Sequence, residues 1–152
     1  MSAEAAELIR AHARHPVGRD ETLPVEVLGR AELLTPTCGD RIEVRVSGDA
    51  AALAIGWSGR GCEVSQGSAS LLADELDGLD AVTVRGRVTA FLDAMAAHDA
   101  VSGRGADPDG SAGQALGDEA ALLLVAANPV RSVCATLAWR ALRDALDVSG
   151  LG

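Results

Sequence analysis

Cys38, Cys62 and Cys134 are the only thiols in this 152-residue chain. Asp40 stands one glycine beyond the first of them, in the stretch TPTCGDRIEV from Thr35 to Val44. In extended chain, residues two apart point the same way. Cys38 and Asp40 are therefore expected to face one point, with Gly39 allowing a tight backbone between them. Cys62 closes the stretch GRGC at a loop-to-helix junction, where unpaired N–H groups and the helix dipole favour a thiolate. Cys134 falls in the first turns of the last helix, just after Arg131, and both features favour a thiolate there too. Three sulfurs and one carboxylate oxygen make a donor set that zinc accepts, with Zn–S at about 2.3 Å and Zn–O at roughly 2.0–2.2 Å. Spacing alone does not decide for a metal. Cys-x-Asp carries little information, and no Cys-x-x-Cys pair is present. Cysteine is also among the most buried residue types, so two helix-packing thiols and one loop thiol is an open alternative, as is a reactive thiol. An odd count is a poor disulfide framework.

Each of these residues sits at the end of an element. Residues 3–14 read as a short helix, with Ala5, Leu8, Ile9 and His12 at helical spacing. The stretch VEVLGRAELL, 25–34, is a weak strand around Gly29. RIEVRVSG, from Arg41, alternates strictly and stops at a glycine, which reads as the clearest strand. Gly48-Asp49 is a turn signal, and ALAIGW then alternates Leu53, Ile55 and Trp57 as the next strand. From Cys62 onward Val64, Ser68, Leu71, Leu72 and Leu76 fit a helix face. Val84, Val88, Phe91, Leu92 and Met95 give a second one. GDEAALLLVAAN reads as a short helix with Asp118 as its N-cap. NPVRSVCATLAWRALRDAL is the last helix, with Pro129 in its first turn and Leu137, Ala141, Leu142 and Leu146 as its apolar stripe. The polar, Gly/Asp-rich run 102–114 predicts a mobile loop, within a less regular stretch spanning 100–117. Strands first and helices after give an α+β pattern: a small antiparallel sheet of about three strands with four to five helices. At this length residues 1–152 are expected to form one domain.

Composition excludes several classes. Twenty-two acids against thirteen bases, all arginine, leave a net charge of −9. Such a chain repels phosphate backbones, and Trp57, Phe91 and Trp139 are too few for a base-stacking platform, so nucleic acid is not an expected partner. No apolar run approaches the roughly 18 residues of a membrane span. The first residues carry acids ahead of any base and no apolar stretch after one, unlike a secretory signal, so a cytoplasmic location is expected.

Other candidates read more plainly. His12 and His15 form a His-x-x-His pair, but they read as helix-end residues, since His15 precedes Pro16. His98 ends a helix, where it favours the dipole. Ser65, Ser68 and Ser70 have no histidine placed as their base, so they read as small packing residues. Asp107 and Asp109 flank Pro108 without the regular spacing of a calcium loop.

Three segments together carry a resemblance. PTCGDRIEV, GRGCEVSQGSASLL and RSVCATLAWRAL resemble, in order, the three cysteine segments of the IscU/NifU-N/SufU family of iron–sulfur assembly proteins. These are a Pro-x-Cys-Gly-Asp segment, a Gly-x-Gly-Cys-x-x-Ser-x-x-Ser-x-Ser segment and a Cys-Ala-x-Leu-x-Trp segment. The likeness extends weakly to LIRAHARHP and covers most of the chain outside 100–117. It is nearest to the SufU branch. Val133 stands where the IscU branch has a histidine, ANPVRS lacks that branch's proline-rich chaperone motif, and the 72 positions from Cys62 to Cys134 match the SufU insertion. Gly67 stands where the family has alanine, and the N-terminal helix lacks a tyrosine.

The resemblance implies a zinc site made of Cys38, Asp40, Cys62 and Cys134, with Arg131 matching a SufU arginine near it. It implies a SufS-type, PLP-dependent cysteine desulfurase as partner, with further iron–sulfur assembly proteins downstream. Cys38 matches the residue that accepts persulfide sulfur. The chemistry is coherent: sulfur transfer needs a thiolate, a metal keeps the acceptor deprotonated, and zinc has no redox chemistry to consume the persulfide. One rival is a scaffold holding a transient [2Fe–2S] cluster on the same four residues, because soft thiolates suit both metals. The other is a structural zinc module, which requires the domain to unfold without metal.

Overall fold

Alternation in the sequence becomes a three-stranded antiparallel sheet in the order β1-β2-β3, with β1 at Gly29–Leu34, β2 at Arg41–Asp49 and β3 at Ala52–Arg60. The structure is a computed structural model, and its described residues are 2–20, 27–35, 39–100 and 116–150. Val44 opposes Trp57 and Val46 opposes Ile55. With Ile42 and Leu53 these residues form one wholly apolar face, and all are buried. The hairpin turn falls two residues later than the Gly48-Asp49 signal suggests. Asp49 pairs with Ala52, leaving Ala50 and Ala51 as the loop. The Asp49 carboxylate accepts from the N–H groups of Ala51 (2.9 Å) and Ala52 (3.0 Å), so it closes the turn from its first corner.

The helices are α1 (Ser2–Arg14), α2 (Glu63–Leu76), α3 (Ala81–Ala100) and α4 (Pro129–Ser149), with a 3₁₀ segment at Asp118–Val125. The apolar sheet face meets α2 and α4, and the core runs from it through Leu71, Leu72, Leu137 and Leu142 to Phe91 and Trp139. These last two rings lie 4.4 Å apart at a 34° tilt. The faces expected from spacing on α2, α3 and α4 are buried, with Leu92 of α3 half-buried against the core, whereas on α1 only Ile9 is buried and Ala5, Leu8 and His12 are half-buried. The stretch expected as a short α-helix is 3₁₀, and its N-cap is Gly117 rather than Asp118. Its LLLV run has no 3.6-residue period to choose the wider coil. Asn128 caps α4, its Oδ1 accepting from Val130 and Arg131 N–H (both 3.0 Å), with Pro129 at the first helical position.

The free edge of β3 is covered by the segment after α1. Trp57 N–H donates to the Gly18 carbonyl (3.0 Å) and Asp20 N–H to the Trp57 carbonyl (2.8 Å). Arg45, which alternation places on the outer face, is buried there and donates to Glu43 (2.8 Å) and the Asp20 carbonyl. A Cβ on Gly67 would lie 2.6 Å from the Ile9 carbonyl oxygen, so α1 passes α2 too closely for an alanine at that position. No helix among the described residues is long and apolar enough to cross a membrane.

Candidate metal centre

Asp40, Cys62 and Cys134 come from three separate elements and meet. One ligand atom from each lies within 4.8 Å of the other two. Asp40 ends the loop before β2, Cys62 is the N-cap of α2, and Cys134 sits in the second turn of α4. Residues 36–38, Cys38 among them, lie outside the described residues.

Thr35 fixes Asp40. Its N–H donates to the Asp40 carbonyl (2.9 Å), and its Oγ1 accepts from Asp40 N–H (3.0 Å). Its own carbonyl accepts from Gly39 N–H (3.0 Å). Gly39 has φ +72°, left-handed backbone that glycine adopts without strain. That corrects the expectation of a plainly extended Cys38-Gly39-Asp40, because the chain turns at its middle residue. The sequence contains Thr35 but nothing that marks it as a clamp.

The Asp40 side chain is 3% exposed. Its Oδ1 accepts from Cys62 N–H at 3.3 Å, tying the loop to the start of α2. Its Oδ2 is buried with no hydrogen-bond partner among the described residues. Gly61 makes this approach feasible, since a Cβ there would stand 2.7 Å from the Asp40 carboxyl carbon and 2.3 Å from Ser65 Oγ.

Cys134 is 1% exposed. Burial pushes its thiol far above the usual range, and hydrogen bonding and repulsion from Asp40 and Cys62 push it further. This corrects the reading that the helix start and Arg131 favour a thiolate. Desolvation outweighs both, and Arg131 itself is exposed, with no hydrogen bond or ion pair of its guanidinium among the described residues. The site thus brings together two sulfurs and a buried carboxylate oxygen, with no cationic side chain beside them among the described residues. A buried carboxylate oxygen without a partner is costly. A divalent cation would satisfy it and deprotonate coordinating thiols outright. Sulfur and carboxylate donors suit zinc and iron. The residues present therefore fit a thiophilic metal.

The remaining candidates separate from this site. Ser68 Oγ donates to the Ala135 carbonyl (2.5 Å) and accepts from Trp139 Nε1–H (3.0 Å), locking α2 to α4 one residue beyond Cys134. Ser70 Oγ accepts from Val17 N–H (2.8 Å) and meets His12 Nδ1 at 2.7 Å. Ser65 Oγ donates to the Cys62 carbonyl (3.1 Å). All three serines are buried, as packing residues should be, but each also makes a bond that packing alone does not require. His12 is in the last turn of α1, and His15, just past its end, is exposed. The side chain of His98, and Asp107 and Asp109, lie outside the described residues.

No sequence profile of a protein family matches the chain. It is 36% identical over 113 residues, 73% of its length and 69% of the relative's, to the zinc-dependent sulfurtransferase SufU of Bacillus subtilis (strain 168). It is 31% identical over 139 residues to the iron–sulfur cluster assembly scaffold protein IscU of Streptococcus pyogenes serotype M1, across 91% of this chain and 79% of that one. A solved protein of Fervidobacterium islandicum AW-1, assigned as a cluster assembly scaffold for the SUF system, superimposes with a TM-score of 0.70 at 21% identity, covering 92% of this chain and 94% of its own. The three-stranded sheet with its helices is thus the fold that such proteins share. The chain belongs to the IscU/NifU-N/SufU family of iron–sulfur assembly proteins.

Proposed function

We propose that this protein is a zinc-dependent sulfurtransferase that accepts persulfide sulfur from a SufS-type cysteine desulfurase for iron–sulfur cluster assembly. The observation that carries the reading is the meeting of Asp40, Cys62 and Cys134 around a buried, unpaired carboxylate oxygen. Cys38, two positions before Asp40, completes the donor set. Zn²⁺ held by these four residues would keep their thiols deprotonated without redox chemistry of its own. Asp40, Cys62 and Cys134 are fixed by Thr35, the start of α2 and α4. The Cys38 thiolate attacks the outer sulfur of the desulfurase persulfide. A new S–S bond forms on Cys38, the old one breaks, and the electron pair leaves with the desulfurase thiolate. The likeness to SufU and Val133 ahead of Cys134 support this reading.

The likeness to IscU, which spans more of the chain, supports the second reading. There the same residues hold a nascent [2Fe–2S] cluster with Asp40 as the exchangeable ligand. Metal analysis with an absorption spectrum on anaerobically purified protein separates the two. About one zinc per chain and a colourless sample support sulfur transfer, whereas iron with sulfide and visible absorbance supports the scaffold. Cys38→Ala is then expected to abolish acceleration of the desulfurase. Acceleration equal to wild type would sink the sulfur-acceptor role.

A further inference from the structure

A groove of about 370 Å³ runs between the C-terminal half of α3 and α4, beginning beside Cys134 and leading away from it. Leu92, Met95 and Ala96 line it from α3, and Val133, Thr136, Arg140 and Arg143 from α4. From Ser132 to Arg143 its α4 wall spans eleven residue steps, roughly 16 Å at the helical rise. That is three helical turns, longer than a compact small molecule requires. Val133 is 37% exposed, and Val130, one turn earlier, is 46% exposed. The apolar floor therefore continues onto an apolar rim.

The charge of the groove is opposite to that of the chain. The protein carries −9 overall, yet the lining holds two arginines and no acid. Arg143 Nε lies 3.8 Å from Asp144 Oδ1, a loose pair outside the groove. Arg140 donates through Nε to Thr136 Oγ1 (3.3 Å), and no carboxylate among the described residues comes within ion-pair distance of it. Burial first, then the neighbouring Arg143 charge, lower its pKa against an opposing pull from Asp144, so an incoming carboxylate would favour its charged form. On a chain of net charge −9, two arginines with no acid in the lining favour the approach of an acidic segment here.

We propose that this groove is the docking site for a helix of a partner protein, one whose apolar face is flanked by carboxylates. Its apolar side chains seat on Leu92, Met95 and Val133, the adaptable methionine fitting their shape. Its carboxylates meet Arg140 and Arg143, arginine being enriched at such anchor points. This inference stands on the groove alone and is independent of which metal the neighbouring site takes.

The test uses the full chain and a fluorescein-labelled synthetic helix of about four turns, with leucines at i, i+4 and i+7 flanked by glutamates. A control peptide carries lysines in place of the glutamates. Anisotropy should show saturable, salt-sensitive binding of the acidic peptide and at least about tenfold weaker binding of the basic one. Arg143→Glu, at an exposed position where folding is not at risk, should weaken the acidic peptide by about tenfold. Arg140→Glu should do so more strongly, with circular dichroism confirming its fold. Metal content should be unchanged in both. Three outcomes would overturn the proposal: no saturation at millimolar peptide, equal binding of the two peptides, or undiminished binding to Arg143→Glu. Binding of decanoate with no binding of the peptide would also overturn it, and would make the groove a site for an apolar carboxylate of low mass.

Discussion

Glu119 and Asp40 are both buried carboxylates, and among the described residues only Glu119 has a cation beside it. Glu119, in the 3₁₀ segment, is fully buried. Arg87 of α3 reaches it twice, through Nε (3.0 Å) and Nη2 (2.8 Å), and the same Nη2 reaches Glu75 of α2 at 2.8 Å. Gly117 N–H donates to Glu119 as well (3.0 Å). The hydrogen bond to Glu119 is the largest cause of a raised Arg87 pKa. The chain thus supplies its own cation and ties three elements together. At Asp40 two thiols stand where an arginine could, one oxygen is left unpaired, and burial holds the Cys134 proton on. The first cluster is complete as folded. The second lacks such a cation among the described residues, as the proposed metal site requires.

The largest effect should come from breaking the complete cluster. Arg87→Met would leave Glu119 buried without its cation. Breaking a buried pair from one side costs on the order of 3–5 kcal/mol. Arg87 is partly exposed, so the lower end of that range is expected. Urea unfolding of the variant checks it, and a loss under about 1 kcal/mol would mean that this network is a surface pair in all but name. Metal content should not change, because Arg87 is remote from Asp40 in the fold.

The incomplete cluster should behave the opposite way. Asp40→Ala is expected to lose zinc while leaving the stability of chelator-treated protein within about 1 kcal/mol, since the bonds that disappear, to Cys62 N–H and with the Cys134 thiol, are weak and a buried carboxylate goes with them. Wild type should gain about 2.7 kcal/mol when zinc is present at a hundred times its dissociation constant, and the variant should not. Thermal melts with and without zinc measure both. A wild type that unfolds outright on chelation would instead make the site a structural zinc module.

These two clusters were not equally visible in the sequence. Strict alternation and the Gly-rich turns placed β2, β3 and the helices within a few residues, because periodicity is a local signal. Residue types and element ends offered Asp40, Cys62 and Cys134 as donors together with Cys38, but left packing thiols as an alternative, and the likeness to a family decided between them, since nothing in spacing brings α2 and α4 together. The Arg87–Glu119 pair was hidden for the same reason: 32 positions separate its members and no motif joins them. Buried Arg45 ran against the alternation that located its strand. Thr35 and Gly61 act through backbone bonds and a missing Cβ, which leave no compositional trace. The thiolate expected at Cys134 failed because helix dipole and Arg131 are readable in sequence and desolvation is not.

The smallest effect belongs to a third carboxylate, which shows what Asp40 would need in order to do without a cation. Asp80 lies just before α3, near the surface. Its Oδ2 accepts from Thr83 N–H (3.0 Å) and its Oδ1 from Thr83 Oγ1–H (2.7 Å). These bonds, the hydroxyl first, hold its carboxyl below the ordinary value of 3.8. A carboxyl whose folded pKa is depressed stabilises the fold above its unfolded value, and that contribution fades as pH falls through the folded one. Asp80→Ala should therefore lower the melting temperature slightly at neutral pH, and the gap from wild type should close below pH 3.8. Thr83→Val, which keeps the N–H donor, should move the Asp80 titration part of the way back when followed by NMR. A gap that persists unchanged in acid would show that the charge is not what matters at this cap. It would also weaken the contrast with Asp40, whose Oδ2 has no hydrogen-bond partner among the described residues.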